Sequence, residues 1–344
     1  MNKIAERIQH QISFLEKHAD HLVIDTDTHL TDPSCLHPDF QQKLNNNPYY
    51  YQGRPINEAE LLLEMKQAAV DMALIWQNPA CTYYTNDPQA NFEQLLQANQ
   101  YIADCAHRYP EKFIPAGWTD PKNCGLENAL RIIETCVLEY GMPIIKLNPA
   151  QNEFRMDDPM VFTIVDKIIA LKAIPAFHYG ADTPFTPAVA LENLAKRYPN
   201  HPIIAVHMGG GGAAYIEADE QYTESRKLGL KYPNIKFALS AKRDTHMESD
   251  LIAYQTAGAP FSNNLFCASD APYGRISWNF GGFRQMFKSL LDQKNHPQLH
   301  CCPTENLFND AAVAQYMGGN FVQLVLEPLK NIQGLITREK SQLV

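Results

Sequence analysis

The chain has 344 residues, 45% of them hydrophobic and 19% charged, with a formal net charge of -9 at pH 7. That is the composition of a globular protein with a substantial core, and the negative balance excludes nucleic acid and anionic membranes as expected partners, because both attract a basic field. Lys242-Arg243 is the longest basic cluster, too short to make a local exception.

The eight cysteines (Cys35, Cys81, Cys105, Cys124, Cys136, Cys267, Cys301 and Cys302) contain no CxxC pair. They read as reduced core residues, with neither a zinc ribbon nor a disulfide framework implied. The N-terminal stretch carries Lys3, Glu6, Arg7, Glu16 and Lys17 and is no signal peptide, and no stretch has the apolar length of a bilayer span. The expected location is the cytoplasm.

In chain order, Ile4, Ile8, Ile12 and Leu15 recur at helical spacing and predict an amphipathic helix laid across the protein before the first strand. Leu22-Val23-Ile24 predicts a buried strand. If it continues through Asp25-Thr26-Asp27-Thr28-His29, the side-chain period of two places Asp27 and His29 on one face. Residues 31–55 are rich in Pro, Asn, Tyr and Gln without a period. An insertion of this length predicts an ordered lid or subunit contact, with Tyr49, Tyr50 and Tyr51 as its aromatic content.

A strand-helix alternation follows. Asn57 caps a predicted helix to about residue 69, before a strand at 72–76, and Asp87-Pro88 opens a helix to about 109, before a strand at 113–117. A helix at about 126–140 leads into a strand at 143–147. Asp158-Pro159 and Thr186-Pro187 repeat the start signal, for helices to 172 and 198 with strands at 175–178 and 203–207 after them. Gly209-Gly210-Gly211-Gly212 opens the next helix, and strands at 235–239 and 265–268 flank a helix at about 248–257. Each parallel pair needs a crossover, and eight strands alternating with helices close into a (β/α)8 barrel, an open doubly wound sheet being the runner-up. No repeat, low-complexity tract or composition shift divides the chain, so it reads as a single domain over residues 1–344 with its core at about 22–326.

Barrel enzymes carry their chemistry at the carboxyl ends of the strands. Ligand-type residues recur there: Asp27 and His29 on the first strand, Lys146 on the fourth, His178 on the fifth, His207 on the sixth and Asp270 on the eighth. Taken alone, Asp27 and His29 read as a turn cap, and each single His as a hydrogen-bonded core or loop residue. Their joint recurrence points to a site. Arg243, just past the seventh strand, suits either a clamp on a substrate carboxylate or a helix cap. Trp76, Trp118 and Tyr273 follow strand ends and suit either the wall of an aromatic pocket or core packing. The glycine run lacks the GK[ST] ending of a phosphate cradle and reads as room for close approach to the site.

These residues carry a resemblance. Ile24-Asp25-Thr26-Asp27-Thr28-His29, Ile145-Lys146-Leu147-Asn148-Pro149, Phe154-Arg155-Met156-Asp157-Asp158-Pro159, Phe177-His178-Tyr179-Gly180, Val206-His207-Met208-Gly209-Gly210 and Ala268-Ser269-Asp270-Ala271-Pro272-Tyr273, with a weaker Gly319-Asn320-Phe321, resemble the amidohydrolase superfamily. The resemblance is to its amidohydrolase-related branch, which includes the aminocarboxymuconate-semialdehyde and γ-resorcylate decarboxylases. It implies that Asp27, His29, His178 and Asp270 surround one divalent metal and that His207 stands beside it, activating substrate. Asp27 stands where the superfamily's His-x-His motif has its first His, which favours a mononuclear site. Asn148 replaces a His common in relatives. Lys146 aligns with the lysine that is carboxylated in binuclear members, but is generally unmodified in this branch.

Two carboxylates and two imidazoles suit Zn²⁺ first and Mn²⁺ second, ahead of the oxygen-seeking Mg²⁺ and Ca²⁺. Asp270 and His207 are the expected catalytic pair, with Arg243, Lys146, Trp76 and Tyr273 as the expected substrate-binding groups. The leading function is a metal-dependent hydrolase of a small carboxylate-bearing ester, lactone or amide. The alternative is a metal-dependent non-oxidative decarboxylase of an aromatic or muconate-type acid, and a third reading is a barrel retained as a binding protein. A small-molecule substrate is the expected partner, and a homodimer the expected assembly.

Overall fold

The computed structural model describes residues 3–47, 53–180, 184–210, 219–241, 244–300, 302, 304 and 306–341. Its strands are β1 (Ile24–Leu30), β2 (Met72–Gln77), β3 (Phe113–Pro115 and Gly117–Trp118), β4 (Ile144–Leu147), β5 (Ile174–Gly180), β6 (Ile203–Gly209), β7 (Ile235–Leu239) and β8 (Leu265–Cys267). All neighbours pair in parallel and in sequence order. The circle closes where β1 meets the end of β8. There Thr26 Oγ1 donates to the carbonyl of Cys267, the Ser269 N–H to Asp25 Oδ1, and the His29 N–H to the carbonyl of Ala271, with Thr28 bridging Ala271. The protein is therefore a (β/α)8 barrel, and polar side chains make much of its closing seam.

The expected helix starts are borne out by caps. The Asn57 side chain accepts from the N–H groups of Ala59 and Glu60, and Glu60 returns a bond to the Asn57 N–H, completing a capping box for the helix Glu58–Gln67. Asp87 and Asp158 cap Pro88–Arg108 and Pro159–Ala170 by accepting one N–H each, from Gln89 and Met160, with proline at the first helical position. Thr186 departs from the pattern: its hydroxyl bonds the carbonyl of Gly180, and the helix Ala188–Arg197 starts behind Pro187 without a side-chain cap. The helix at 126–140 is α-helical over Leu126–Glu134 and widens to a π-turn over Thr135–Glu139.

β3 is broken at Ala116, so Trp118 lacks a regular neighbour on the β2 side. Asn99, fully buried on the helix Pro88–Arg108, supplies the missing pair: its Nδ2 donates to the Trp118 carbonyl and its Oδ1 accepts from the Trp118 N–H. Asn99→Ala leaves both buried backbone groups without partners. It is expected to cost about 2–4 kcal/mol, read as a lowered midpoint in urea unfolding. An unchanged midpoint would mean that water replaces the amide.

The helix Lys3–His18 turns Ile8, Ile12 and Leu15 inward, and its buried Arg7 donates to the carbonyls of Tyr140 and Gly141, ahead of β4. It packs along the helix Asn320–Ser341, so both lie across the N-terminal end of the barrel. A Cβ at Gly318 would stand 2.1 Å from the Leu22 carbonyl oxygen, and Asn320 Nδ2 donates to the carbonyls of Ser262 and Leu265. Gly319-Asn320-Phe321 is thus a packing element at the end of the barrel away from the carboxyl ends of the strands.

After β1, the insertion forms a 3-10 turn at Pro33–Cys35 and a helix at Pro38–Asn46 that buries Phe40, while His37 stacks on Tyr83 with ring centroids 4.1 Å apart. Tyr49, Tyr50 and Tyr51 lie outside the described residues, as do Arg243, Gly211 and Gly212. No helix among the described residues is long and apolar enough to cross a membrane.

Candidate active site

β1 carries a register shift against β2 between Asp25 and Thr28, and beyond it Asp27 and His29 reach one cluster, as the period of two predicts. His29 Nδ1 lies 2.8 Å from the carbonyl oxygen of Gln77. A carbonyl only accepts, so Nδ1 holds the proton and Nε2 presents a lone pair. That lone pair faces Asp27 Oδ1 at 3.6 Å and Asp270 Oδ1 at 3.4 Å. Burial, reinforced by Lys146, drives the imidazole down to about 3, so it is neutral at physiological pH. The ligand atoms of Asp27, His29 and Asp270 lie within 4.8 Å of one another. Such converging lone pairs repel unless a cation or a proton stands among them, and an imidazole with two carboxylates is a donor set that divalent Zn or Mn accepts.

The two carboxylates are held in opposite states. Burial raises both, but at Asp27 it is outweighed by Lys146, His207, His29 and the Ser240 hydroxyl, which hold the group well below the usual carboxylate range. At Asp270, burial and then the Asp27 charge push the carboxyl up to about 7. Asp270 also differs in reach: 14% of its side chain is exposed, against 0% for Asp27 and 3% for His29. It sits at φ +59°, and His207 at φ +76°, both in the left-handed region that costs a non-glycine residue energy and that recurs at functional sites.

His207 needs that backbone turn. Two residues before it, Ala205 pairs with Phe237, whose ring lies against Tyr179; the Tyr179 hydroxyl in turn accepts from Ser225 on the outer helix Asp219–Lys231. Continued alternation would send His207 outward with them. Instead its Nδ1 is 2.8 Å from Ser240 Oγ, and its Nε2 is 3.2 Å from His178 Nδ1. Ser240 Oγ donates to Asp27 Oδ2 at 2.7 Å, so the hydroxyl must accept from His207 Nδ1–H. His207 Nε2 is then the acceptor for His178 Nδ1–H. One directional chain therefore runs from His178 through His207 and Ser240 to Asp27.

Ser240, which follows the last residue of β7, is a site residue that the reading of the sequence missed. Its only signal was its place, at the carboxyl end of the one late strand without a ligand-type group. Ser240→Ala is expected to lower turnover about 10- to 100-fold, the usual cost of losing a group that orients a ligand, and to free the His207 tautomer. The ¹⁵N shifts of His207 read the second effect. Retention of the Nδ1–H form in the variant would remove Ser240 from this role.

Two expected substrate contacts are placed differently. Lys146 is 1% exposed; its ammonium lies 3.3 Å from Asp27 Oδ1 and 3.7 Å from the centre of the Trp76 ring, with Trp118 at 5.2 Å. It is an internal counter-charge to Asp27, held on aromatic faces. Trp76 is 0% exposed and offers no surface to a substrate, because its face is covered by Lys146. Tyr273 is partly exposed: its hydroxyl donates to Asn78 Oδ1 and accepts from the Ala80 N–H, and its ring stands edge-on to His29. His178 is partly exposed and stands outside the group formed by Asp27, His29 and Asp270, its Nδ1 engaged by His207. Asn148 caps the short helix Pro149–Asn152. A Cβ at Gly210 would meet the Ala241 carbonyl oxygen at 2.4 Å, so this glycine serves the approach of β6 to the loop after β7.

A (β/α)8 barrel with carboxylates and imidazoles gathered at the carboxyl ends of β1, β5, β6 and β8 defines an enzyme class that works from one end of its barrel. The chain belongs to the amidohydrolase family, which matches residues 24–288. It is 28% identical to a 2-amino-3-carboxymuconate-6-semialdehyde decarboxylase of Dictyostelium discoideum over 115 residues, spanning 33% of this chain and 32% of that protein. Among solved structures, 5-carboxyvanillate decarboxylase from Sphingomonas paucimobilis is 16% identical with a TM-score of 0.60, over 88% of this chain and 98% of that one. A dihydroxybenzoic acid decarboxylase from a Polaromonas species, with bound manganese and an inhibitor, is 16% identical with a TM-score of 0.60, over 88% of this chain and 96% of that one. These structural likenesses concern the fold.

Proposed function

We propose that the protein is a metal-dependent, non-oxidative decarboxylase of a small aromatic or muconate-type carboxylic acid, the whole chain forming one catalytic unit. The carrying observation is Asp270: the one carboxyl of the cluster that a substrate can reach, and, with burial and Asp27 pushing it up to about 7 in the metal-free chain, the one with the greater affinity for a proton. Decarboxylation breaks a C–C bond, releases CO₂ and requires a proton at the carbon left behind. A hydrolase first requires a base to take a proton from water. A reachable carboxyl that takes and returns a proton serves the former demand, and the similar proteins named above, which are decarboxylases, favour it over the latter.

In this reading Asp27, His29 and Asp270 hold one divalent ion, Mn²⁺ or Zn²⁺, with His178 at the open side of the site. When bound, the ion supplies positive charge that orients and polarises the substrate's oxygens. The chain does the rest. Lys146 balances Asp27, Ser240 sets the His207 tautomer, and Asp270, ionised when the ion is bound, takes a proton from solvent on the oxygen that faces the substrate and passes it to the vacated carbon as CO₂ leaves. His207, engaged on both ring nitrogens, steadies negative charge through its neighbour His178.

The test is turnover of ortho-hydroxybenzoates and a small lactone panel in D₂O and in H₂¹⁸O, with metal-loaded protein. CO₂ release with one deuterium at the vacated carbon is expected. Lactone opening with ¹⁸O in the new carboxylate, and no CO₂ from any acid, would return the assignment to a hydrolase.

A further inference from the structure

We propose that the end of the barrel away from Asp270 carries a binding site for a small organic anion, a phosphate or carboxylate, built around Lys236. A cleft of about 770 Å³, within the range of small-molecule sites, opens between the turns that lead into β5, β6 and β7 and the helix Asn320–Ser341. Lys172, His201 and Lys236 line it, and Glu327 is the one acid among its lining residues. Three basic groups against one acid stand out in a chain of net charge -9.

Lys236 shares its strand face with Ala238 and Ser240 but is the second residue of β7 where Ser240 follows its last, about 13 Å away at the usual rise per residue. Its ammonium donates to Asn264 Oδ1. No carboxylate among the described residues lies within ion-pair distance of Lys236, Lys172 or His201. Several lysines elsewhere have a carboxylate partner: Lys196 and Lys231 share Glu192, Lys167 meets Glu134 and Lys330 meets Glu16. A charge that is largely buried and bonded only to a neutral amide is costly unless an anion meets it. Burial pulls the Lys236 pKa down to about 8, the direction expected of an ammonium without a counter-charge.

Asn320 belongs to the wall of the same cleft. It is 2% exposed and has its Nδ2 committed to two backbone carbonyls while its Oδ1 has no hydrogen-bond partner. An ammonium and an imidazole lining one cleft suit a ligand that carries an anionic group. Such a ligand would tie three turns to the C-terminal helix, so its binding is read as stability.

The experiment is thermal unfolding with sodium phosphate or sodium citrate, against sodium chloride at equal ionic strength. It uses a His29→Ala background, so that anions drawn to a metal at the other end do not contribute. A saturable rise in Tm of about 3 °C or more with phosphate or with citrate is expected, and whichever acts identifies the anionic group. Lys172→Ala, an exposed change compatible with folding, and Lys236→Met are each expected to abolish the rise. No rise beyond chloride with either anion, or a rise that persists in Lys172→Ala and in whatever folded Lys236→Met protein is obtained, overturns the proposal.

Discussion

Replacing Asp270 with Asn is expected to lower turnover by about 10²- to 10⁴-fold, the range of a lost general acid, while the protein folds normally. Asn preserves the shape of the side chain but can neither carry the proton that the reaction must receive nor meet the ion as a carboxylate. It also removes an electrostatic load. A buried carboxyl held up to about 7, against about 3.9 in an unfolded chain, weakens the metal-free fold progressively as pH rises between those values. The metal-free Asn variant should therefore match the parent in Tm near pH 4 and exceed it at pH 8. A variant that is less stable at both pH values would show that Asp270 is held by contacts that the repulsion from Asp27 does not outweigh.

Replacing His29 with Ala is expected to abolish metal retention and turnover together. The donor set falls to two carboxylates, and the loss of a direct ligand should exceed the 10- to 100-fold in affinity that follows removal of an orienting neighbour. Metal content by elemental analysis after dialysis reads the effect, with chelator-treated parent protein, restored by Mn²⁺ or Zn²⁺, as the control. The pH dependence follows from the same groups. His29 is already neutral, whereas Asp270 must lose a proton to bind the ion. Metal affinity of the parent should accordingly fall about tenfold for each pH unit below about 7 and level off above it. Full metal content in the His29→Ala protein would place the ion elsewhere.

The barrel was legible because its signals are local. Asp87-Pro88 and Asp158-Pro159 mark helix starts by a cap whose partner lies two residues on, and a run such as Ile203 to Val206 is apolar because both faces of a parallel strand are covered. Thr186-Pro187 carries the same local signal, yet its hydroxyl found a partner six residues back in β5. The positions of Asp27, His29, His178, His207 and Asp270 were legible for a related reason: strand order places every strand's carboxyl end on one rim.

Chemical roles were less legible where they depend on partners distant in sequence. Lys146 is spaced like a substrate contact, but Asp27, 119 residues away, takes its charge. Trp76 loses its exposed face to the same lysine, and Ser240 carries no motif at all, since its place in the chain from His178 to Asp27 exists only when β1, β5, β6 and β7 stand side by side.

By itself, then, the sequence determined the number and order of strands and the rim on which the polar residues gather, because periodicity and caps act over a few residues. The tertiary structure decided which nitrogen of His29 and His207 carries the proton, which carboxyl stays reachable with a raised affinity for a proton, and that Lys236 lacks a counter-charge at the other end of the barrel. Those properties arise from desolvation and from hydrogen bonds between strands, and neither acts until the barrel has closed.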